Sequence, residues 1–454
     1  MEAFIQNLDL PVCKIRPIVD HMLRTMQSCL KGEPGSLLMI PGYTDIPSGK
    51  ESGFFLAIDF GGTNLRCILL KVTLNKVVDS RQRSMELDPK TETAEKLFST
   101  IAQFIVDFLA ENTIFMGKTP SVLNAGFTFS FPIQQNGISS GSLIYWTKEF
   151  IATGVVGNDV VELLHEQLKK LNHEWVKIVA LCNDTVGTLC AATTTNPKTQ
   201  IGVILGTGTN ACYREKVKNI TKLGPEAEKK HGEYMVINME WGAYDGFPYT
   251  PEDDAVNHET RKQGTARMEK MVSGRYLPMI TRKCLNRCIE NGWVLSNLDL
   301  ENYRWDAKEE LTAVEIEIIE YDSTPQLTAT RDFICKFGQI PDSDKDKITY
   351  HELLLIRSLF HAIVVRSARF AAVALATVVM HIVTQNQSLP EIEVAIDGSI
   401  YHKHKGYKEE LQRFLTESLN SLPLGPTPPL VRCVPTKDGS GLGAGIIAAV
   451  QTNL

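Results

Sequence analysis

FFLAIDFGGTNLRCILLKV, residues 54–72, is an apolar run, a Gly-Gly-Thr-Asn turn and a second apolar run. Two β-rich segments around a glycine-rich turn predict a hairpin. The same form returns at IGVILGTGTNACYRE, residues 201–215, where a strand enters a Gly/Thr/Asn turn and leaves as another strand. Used twice, with helical stretches between, the unit predicts an α/β protein of two related lobes facing a shared cleft.

Outward from these units, Ile15, Val19, Met22, Leu23, Met26 and Leu30 fall at helical spacing, and Gly32 ends the run. Residues 32–53 are rich in Gly, Pro and Ser and read as a linker. Leu97, Ile101, Phe104 and Phe108 predict a second amphipathic helix. Asn158 or Asp159 can cap a third, running through about Leu171. VKIVAL (176–181) reads as a buried strand that ends in Asn183-Asp184-Thr185, with a helix after it.

A chain of 454 residues can bury two cores. Lys plus Arg is 47 and Asp plus Glu is 53, a net charge of −6. That balance lacks the basic footprint of a nucleic-acid binder. The 10 cysteines include no C-x-x-C pair. Cys284 and Cys288 stand one helical turn apart, a spacing for packing rather than zinc, and scattered thiols point to a reducing compartment. His402 and His404 flank one lysine with no Cys or His cluster nearby. The start, MEAFIQNLDLPVCKI, has neither the basic end nor the apolar run of a signal peptide, and the terminal Thr-Asn-Leu is not a peroxisomal address. Phe370–Val383 is the most apolar stretch, too short to span a bilayer, and reads as a buried helix. A cytoplasmic protein without nucleic-acid or membrane partners is expected.

A phosphate turn needs backbone N–H groups converging on one spot and small side chains around them. Gly61-Gly62-Thr63-Asn64 and Gly206-Thr207-Gly208-Thr209-Asn210 both meet that need. Ordinary hairpin turns use the same residues, so the reading rests on the repetition and the matched flanks. Asp59 closes an apolar strand beside the first turn, where its natural use is to hold Mg²⁺ directly or through water; a turn-capping role is the alternative. Asp184 follows a buried strand and can accept a proton from a substrate hydroxyl, with Asn183 beside it to bond a sugar; Asp184 as a helix N-cap is the alternative. Gly117-Lys118-Thr119 resembles the end of a P-loop, but residue 112, where the motif requires Gly, is Asn112, and Pro120 follows; it reads as a surface loop.

DFGGTN, FTFSFP, WTK, NDT, GTGTNACY, EWG, EKMVSGRYL and DGSGLGAG occur in the order seen in the eukaryotic hexokinase and glucokinase family, which the chain resembles from about Ser52 to Val450. The length matches a single unit of about 50 kDa rather than the tandem form. The resemblance implies the actin, Hsp70 and sugar-kinase superfamily: a two-lobed actin-like ATPase (ribonuclease H-like) α/β fold with a central nucleotide and sugar cleft. It implies a small lobe of 54–182 plus 437–454 and a large lobe of 1–53 plus 183–436. It implies a sugar site of Ser130, Thr147, Lys148, Asn183, Asp184, Asn210, Glu240 and Glu269, with Asp184 as base and Lys148 also approaching the transferring phosphoryl. Gly61, Gly62, Thr63, Asn64 and Arg66 would meet ATP from one lobe, and Gly206, Thr207 and Gly208 from the other. Asp397, Gly398 and Ser399 resemble the adenosine-side motif, and ATP with Mg²⁺ at Asp59 would complete the site.

The implied reaction is phosphorylation of a hexose at its 6-hydroxyl, the first step of glycolysis, by a monomer or homodimer. A catalytically inactive sugar sensor or ATP-binding scaffold of the same fold is the alternative, although Asp184 and Lys148 are both present. A chaperone-like ATPase of the superfamily would not need the SFP, NDT and EWG residues. Three positions depart from the family pattern. Glu149 follows WTK in place of Gly, Gln263-Gly264-Thr265-Ala266 replaces Pro-Gly-x-Gln, and EWGAYDG replaces EWGAFGD.

Overall fold

The computed structural model describes residues 1–61, 64–117, 120–146, 150–260, 263–299, 311–385, 389–425, 428–436 and 438–452. Its strands are β1 (Ile40–Pro41), β2 (Gly53–Phe60), β3 (Asn64–Thr73), β4 (Lys76–Glu86), β5 (Leu123–Phe129), β6 (Ile133–Gly137), β7 (Ser140–Leu143), β8 (Val176–Cys182), β9 (Thr199–Leu205), β10 (Thr209–Lys216), β11 (Tyr234–Asn238), β12 (Glu391–Asp397) and β13 (Leu430–Pro435). Helices packed on them include α1 (Arg16–Leu30), α2 (Ala94–Glu111), α3 (Val160–Lys170), α4 (Asp184–Thr193), α5 (Pro251–Glu259), α6 (Arg267–Val272), α7 (Tyr350–Gln385) and α8 (Gly439–Thr452).

Two mixed sheets organise the chain. One has the order β4-β3-β2-β5-β8 and the other β1-β11-β10-β9-β12-β13. Both predicted hairpins form: β2 pairs antiparallel with β3, and β9 with β10. In each sheet the strand entering the turn also pairs in parallel with a neighbour, β5 in one and β12 in the other. Strands buried on both faces need a near-continuous apolar run, and FFLAIDF supplies it. β4 closes its sheet with a row of exposed, charged residues, a composition that discourages further strand pairing.

The layers follow from where the apolar faces point. Leu97, Phe98, Ile101 and Phe108 of α2, and Val160, Leu164 and Leu168 of α3, cover one face of the five-stranded sheet. α8 lies on its other face and α4 on the six-stranded sheet, and the third apolar cluster joins the two through Val186, Leu189, Cys212, Ala444 and Ile447. α4 and α8 pack backbone to backbone: a Cβ at Gly443 would stand 1.9 Å from the Gly187 carbonyl oxygen. α7 fills the far side of the six-stranded sheet together with α1. It is long and apolar enough to cross a bilayer, yet 89% of its most apolar window is buried inside the protein, as the buried-helix reading of Phe370–Val383 expects.

The capping reading resolves to Asp159, which accepts from the N–H groups of Val161 and Glu162. The linker reading of 32–53 needs correction. Leu37 and Met39 are buried, and Ile40–Pro41 adds β1 to the edge of β11. Three apolar residues inside a Gly/Pro-rich segment are enough to dock it on the core. Cys284 and Cys288 are both buried in the core of the larger unit.

Candidate functional site

Three polar groupings form where the hairpin turns end. The first surrounds Asn210, the first residue after the Gly206–Thr209 turn. Its amide nitrogen lies 2.8 Å from Asn238 Oδ1, 3.1 Å from Glu240 Oε1 and 3.2 Å from Asn183 Oδ1. Asn238 donates in turn to Glu240 Oε1 at 2.8 Å. Asn183 caps α4, accepting from Thr185 N and Thr185 Oγ1, and Asp184 is the first residue of the helix, with Oδ1 accepting from Thr185 N at 2.9 Å. The N-cap alternative for Asp184 therefore falls to its neighbour.

Glu240 and Glu269 complete this grouping. Glu269 Oε2 accepts from Thr209 N at 3.2 Å, and a Cβ at Gly208 would stand 2.7 Å from that oxygen. A side chain at position 208 would displace the Glu269 carboxylate from the turn. Trp241, fully buried, donates to Thr209 Oγ1 at 2.9 Å. Glu240 has a left-handed backbone (φ 51°), which is strained for a side chain that has a Cβ and is a mark of functional sites. Burial, then the charges of Asp184 and Glu269, push its carboxyl up to about 7, against the hydrogen bonds from Asn238 and Asn210. Burial, and then the charges of Glu240 and Glu269, raise the Tyr145 phenol.

The second grouping is backbone on backbone. The Gly206 N–H donates to Gly208 O at 3.0 Å, and Gly274 N donates to Gly206 O at 2.8 Å. Gly398, at φ 120°, could not carry a Cβ, which would lie 2.3 Å from Leu205 O. The Gly206 turn is therefore pressed between two other chain segments, and Thr207 is exposed at its tip. Asp397 Oδ1 accepts from Gly398 N at 2.7 Å and lies 3.1 Å from His402 Nε2. His402 Nε2 also lies 2.7 Å from Thr436 O, so this imidazole belongs to the turn's hydrogen bonding. Ser399 begins the short helix Ser399–Lys403.

The third grouping is charged. Arg66, on β3, donates to Asp59 Oδ2 at 3.0 Å and to Asp438 Oδ1 at 2.6 Å. Ser440 Oγ donates to the same Asp59 oxygen at 3.3 Å. Asp59 is buried, and Gly61 and Asn64 are exposed at the turn, with Gly61 N donating to Asn64 O. Ser130 lies beside this turn, its N–H donating to Phe60 O at 3.1 Å. Among the described residues, no group of three or more His, Cys, Asp or Glu side chains is placed to hold a metal ion. A lone carboxylate suits Mg²⁺ delivered with phosphates, since that ion keeps several waters and takes one or two protein carboxylates.

Gly62, Thr63, Thr147 and Lys148 lie outside the described residues, as do Lys118 and Thr119 of the dismissed P-loop resemblance. Reading the sequence missed Asn238, Trp241, Tyr145, Asp438 and Ser440. Asn238 carries a signal in the sequence: like Asp59 and Asn183, it is a polar residue at the end of an apolar strand.

The chain is similar to known proteins along nearly its whole length. Two models of the hexokinase family match residues 1–194 and 200–450. The chain is 37% identical to Hexokinase-1 of Saccharomyces cerevisiae over 96% of its own length and 89% of that protein. It is 34% identical to human Hexokinase-3 over 96% of its own length but 45% of that protein, and so spans about half of it. The hexokinase of Schistosoma mansoni, solved in complex with glucose, superposes with a TM-score of 0.82 at 30% identity, covering 98% of this chain and 97% of that one. Two polar hairpin turns in an actin-like α/β frame, and similarity along nearly the full length, place this chain in the hexokinase family.

Proposed function

We propose that the chain transfers the γ-phosphoryl of MgATP to the 6-hydroxyl of a hexose, glucose foremost, giving hexose 6-phosphate and ADP. One observation carries the residue assignment: Asn183, Asn210, Glu240 and Glu269 are tied together beside Asp184 and against the Gly206–Asn210 turn. Carboxylates and amides in one cluster match the alternating donors and acceptors of a pyranose, and their contact with a glycine turn sets sugar beside phosphate. The glucose in the name of the Schistosoma mansoni structure supports the same substrate.

In this reading Asp184 accepts the proton of the 6-hydroxyl as the phosphoryl departs from ADP, and Lys148 approaches the transferring group. Ser130, Thr147, Asn183, Asn210, Glu240 and Glu269 hold the sugar. Glu240, with its carboxyl near neutrality, can donate to one hydroxyl or accept from another. The turns at 61–64 and 206–208, with Arg66 and Thr207, receive the phosphates, and Asp397, Gly398 and Ser399 lie on the adenosine side. Asp59 would hold the magnesium of MgATP through water, its Oδ2 already bonded to Arg66 and Ser440; the metal supplies neutralisation of phosphate charge.

We assign the small lobe to 54–182 plus 437–454 and the large lobe to 1–53 plus 183–436, closing on the sugar so that water is excluded as a competing nucleophile. A monomer or homodimer in the reducing cytoplasm fits ten free cysteines, eight of them buried. The test is a coupled ADP assay with MgATP across glucose, mannose, fructose and galactose. The highest kcat/KM is expected for glucose; no sugar-dependent ADP with any of the four would overturn the reading.

A further inference from the structure

We infer that Asn257 is a positioning residue of the sugar site, its one amide oxygen tying both Gly264 and the helix that carries Glu269 to α5. The inference rests on the reading that Glu269 binds the sugar.

The argument begins with how firmly α5 is held. Thr250 and Asp253 form a capping box at its start. The Asp253 carboxylate also takes both terminal nitrogens of Arg366 on α7, at 2.7 and 2.8 Å, with the two side chains 3% and 2% exposed. A buried bidentate pair fixes α5 to the central helix of the larger unit. Asn257 lies one turn beyond Asp253, on the same side of α5, and is 6% exposed.

Asn257 Oδ1 accepts from Lys270 Nζ at 2.8 Å and from Gly264 N at 3.1 Å. Lys270 is 4% exposed and adjoins Glu269. Gly264 stands two residues before Ala266, the N-cap of α6, which has φ 52° and makes no side-chain capping bond. α6 has only 6 residues, too short to be stable by itself, and it begins on a strained residue. Its position, and that of Glu269 in its first turn, must be imposed from outside. Other ties between loop and α5, Gln263 Nε2 to His258 O and Arg267 to Asp254, lie nearer solvent. Asn257 is more buried than these, and it reaches both ends of the segment through one atom. Its acceptor is an amide, which brings no charge to a buried ammonium, a choice that serves placement more than electrostatic stability.

Releasing this anchor lets Glu269 leave the Gly208–Thr209 turn, which weakens sugar binding before it touches the nucleotide. In Asn257→Ala, KM for glucose should rise roughly tenfold while KM for ATP and kcat stay within about threefold of wild type. Asn257→Asp keeps both acceptor bonds and should return KM for glucose to within about threefold. The glucose-induced rise in Tm, read without turnover, should shrink in the alanine variant and persist in the aspartate variant. Should the alanine variant fail to fold, Lys270→Met removes one bond while keeping the burial, and should raise KM for glucose a few-fold. A folded Asn257→Ala with unchanged KM for glucose overturns the inference, as does a parallel rise in both KM values or an aspartate variant no better than alanine. Glu269→Gln, assayed alongside, separates the failures: unchanged glucose KM there sinks the sugar-site reading itself, whereas a raised KM there with an unaffected Asn257→Ala sinks only the positioning role.

Discussion

The two hairpin turns share a backbone plan and differ in what surrounds them. At the first, Asp59 is neutralised by Arg66, which also reaches Asp438, and Ser440 supplies a further hydrogen bond. At the second, no arginine enters among the described contacts; Asn210 and Thr209 are held by amides and by Glu240 and Glu269. The first turn is built as an ion-paired seat joined to the N-terminal end of α8. The second is built into a buried cluster of carboxylates and amides, where burial first, and then the charges of Asp184 and Glu269, raise the Glu240 carboxyl to about 7. One strand–turn–strand unit, placed twice, serves different chemistry because the neighbours recruited by tertiary packing differ in charge.

The largest effect that tests this contrast is at Asp184, beside the second turn. Asp184→Ala should lower kcat by at least ~10²-fold while glucose still raises Tm. A variant that keeps roughly a tenth of wild-type kcat would remove Asp184 from the role of base.

Arg66→Ala attacks the first turn alone. It removes the guanidinium from the buried Asp59 and from Asp438, so KM for ATP should rise roughly tenfold with KM for glucose little changed. An equal rise in both constants would mean that the two turns are not divided between nucleotide and sugar.

The raised Glu240 carboxyl sharpens the contrast through pH. Between the usual 4.5 and about 7 the folded protein keeps a proton that the unfolded chain has released. The native state then binds more protons, so this group's contribution to stability falls as pH rises through that window. Glu240→Gln has no such proton. From about pH 5 to about pH 7.5 the wild type should lose roughly 1–3 kcal/mol more stability than the variant, measured by denaturant unfolding. Parallel stability curves would refute the raised carboxyl.

The smallest effect is expected at Ala266. The resemblance implies Gln three residues before Glu269, and in the proposed sugar site a polar side chain there would help hold this segment in place. Gln263 does not stand in for it, because its amide nitrogen is bonded to His258 O. Ala266→Gln should lower KM for glucose roughly two- to tenfold with little change in kcat. An unchanged or higher KM would mean that Thr265 or another neighbour already compensates.

Much of the frame is legible in order along the chain. FFLAID and IGVILG are apolar runs bounded by Gly/Thr/Asn turns, and a local turn must make a hairpin when β-rich segments flank it. The α3 cap at Asp159, the amphipathic α2 and the burial of α7 follow from spacing and composition in the same way. Asp59 and Asp184 could be singled out because each lies at or just after the end of an apolar strand, where a polar side chain must be used, and Asn210 because it closes the second Gly/Thr turn. Tertiary structure alone decided the rest. Leu37 and Met39 dock a segment whose local composition says linker, since burial depends on what lies opposite and not on neighbours in sequence. Arg66 meets Asp438, Asn210 meets Asn238, and Glu269 meets Thr209 across long stretches of chain. The charge state of Glu240 depends on burial and on the carboxylates of Asp184 and Glu269, which come from other elements. Local sequence encodes backbone preference and polarity; distances between remote side chains, and the electrostatics that follow from them, exist only once the two sheets and the helices between them have packed.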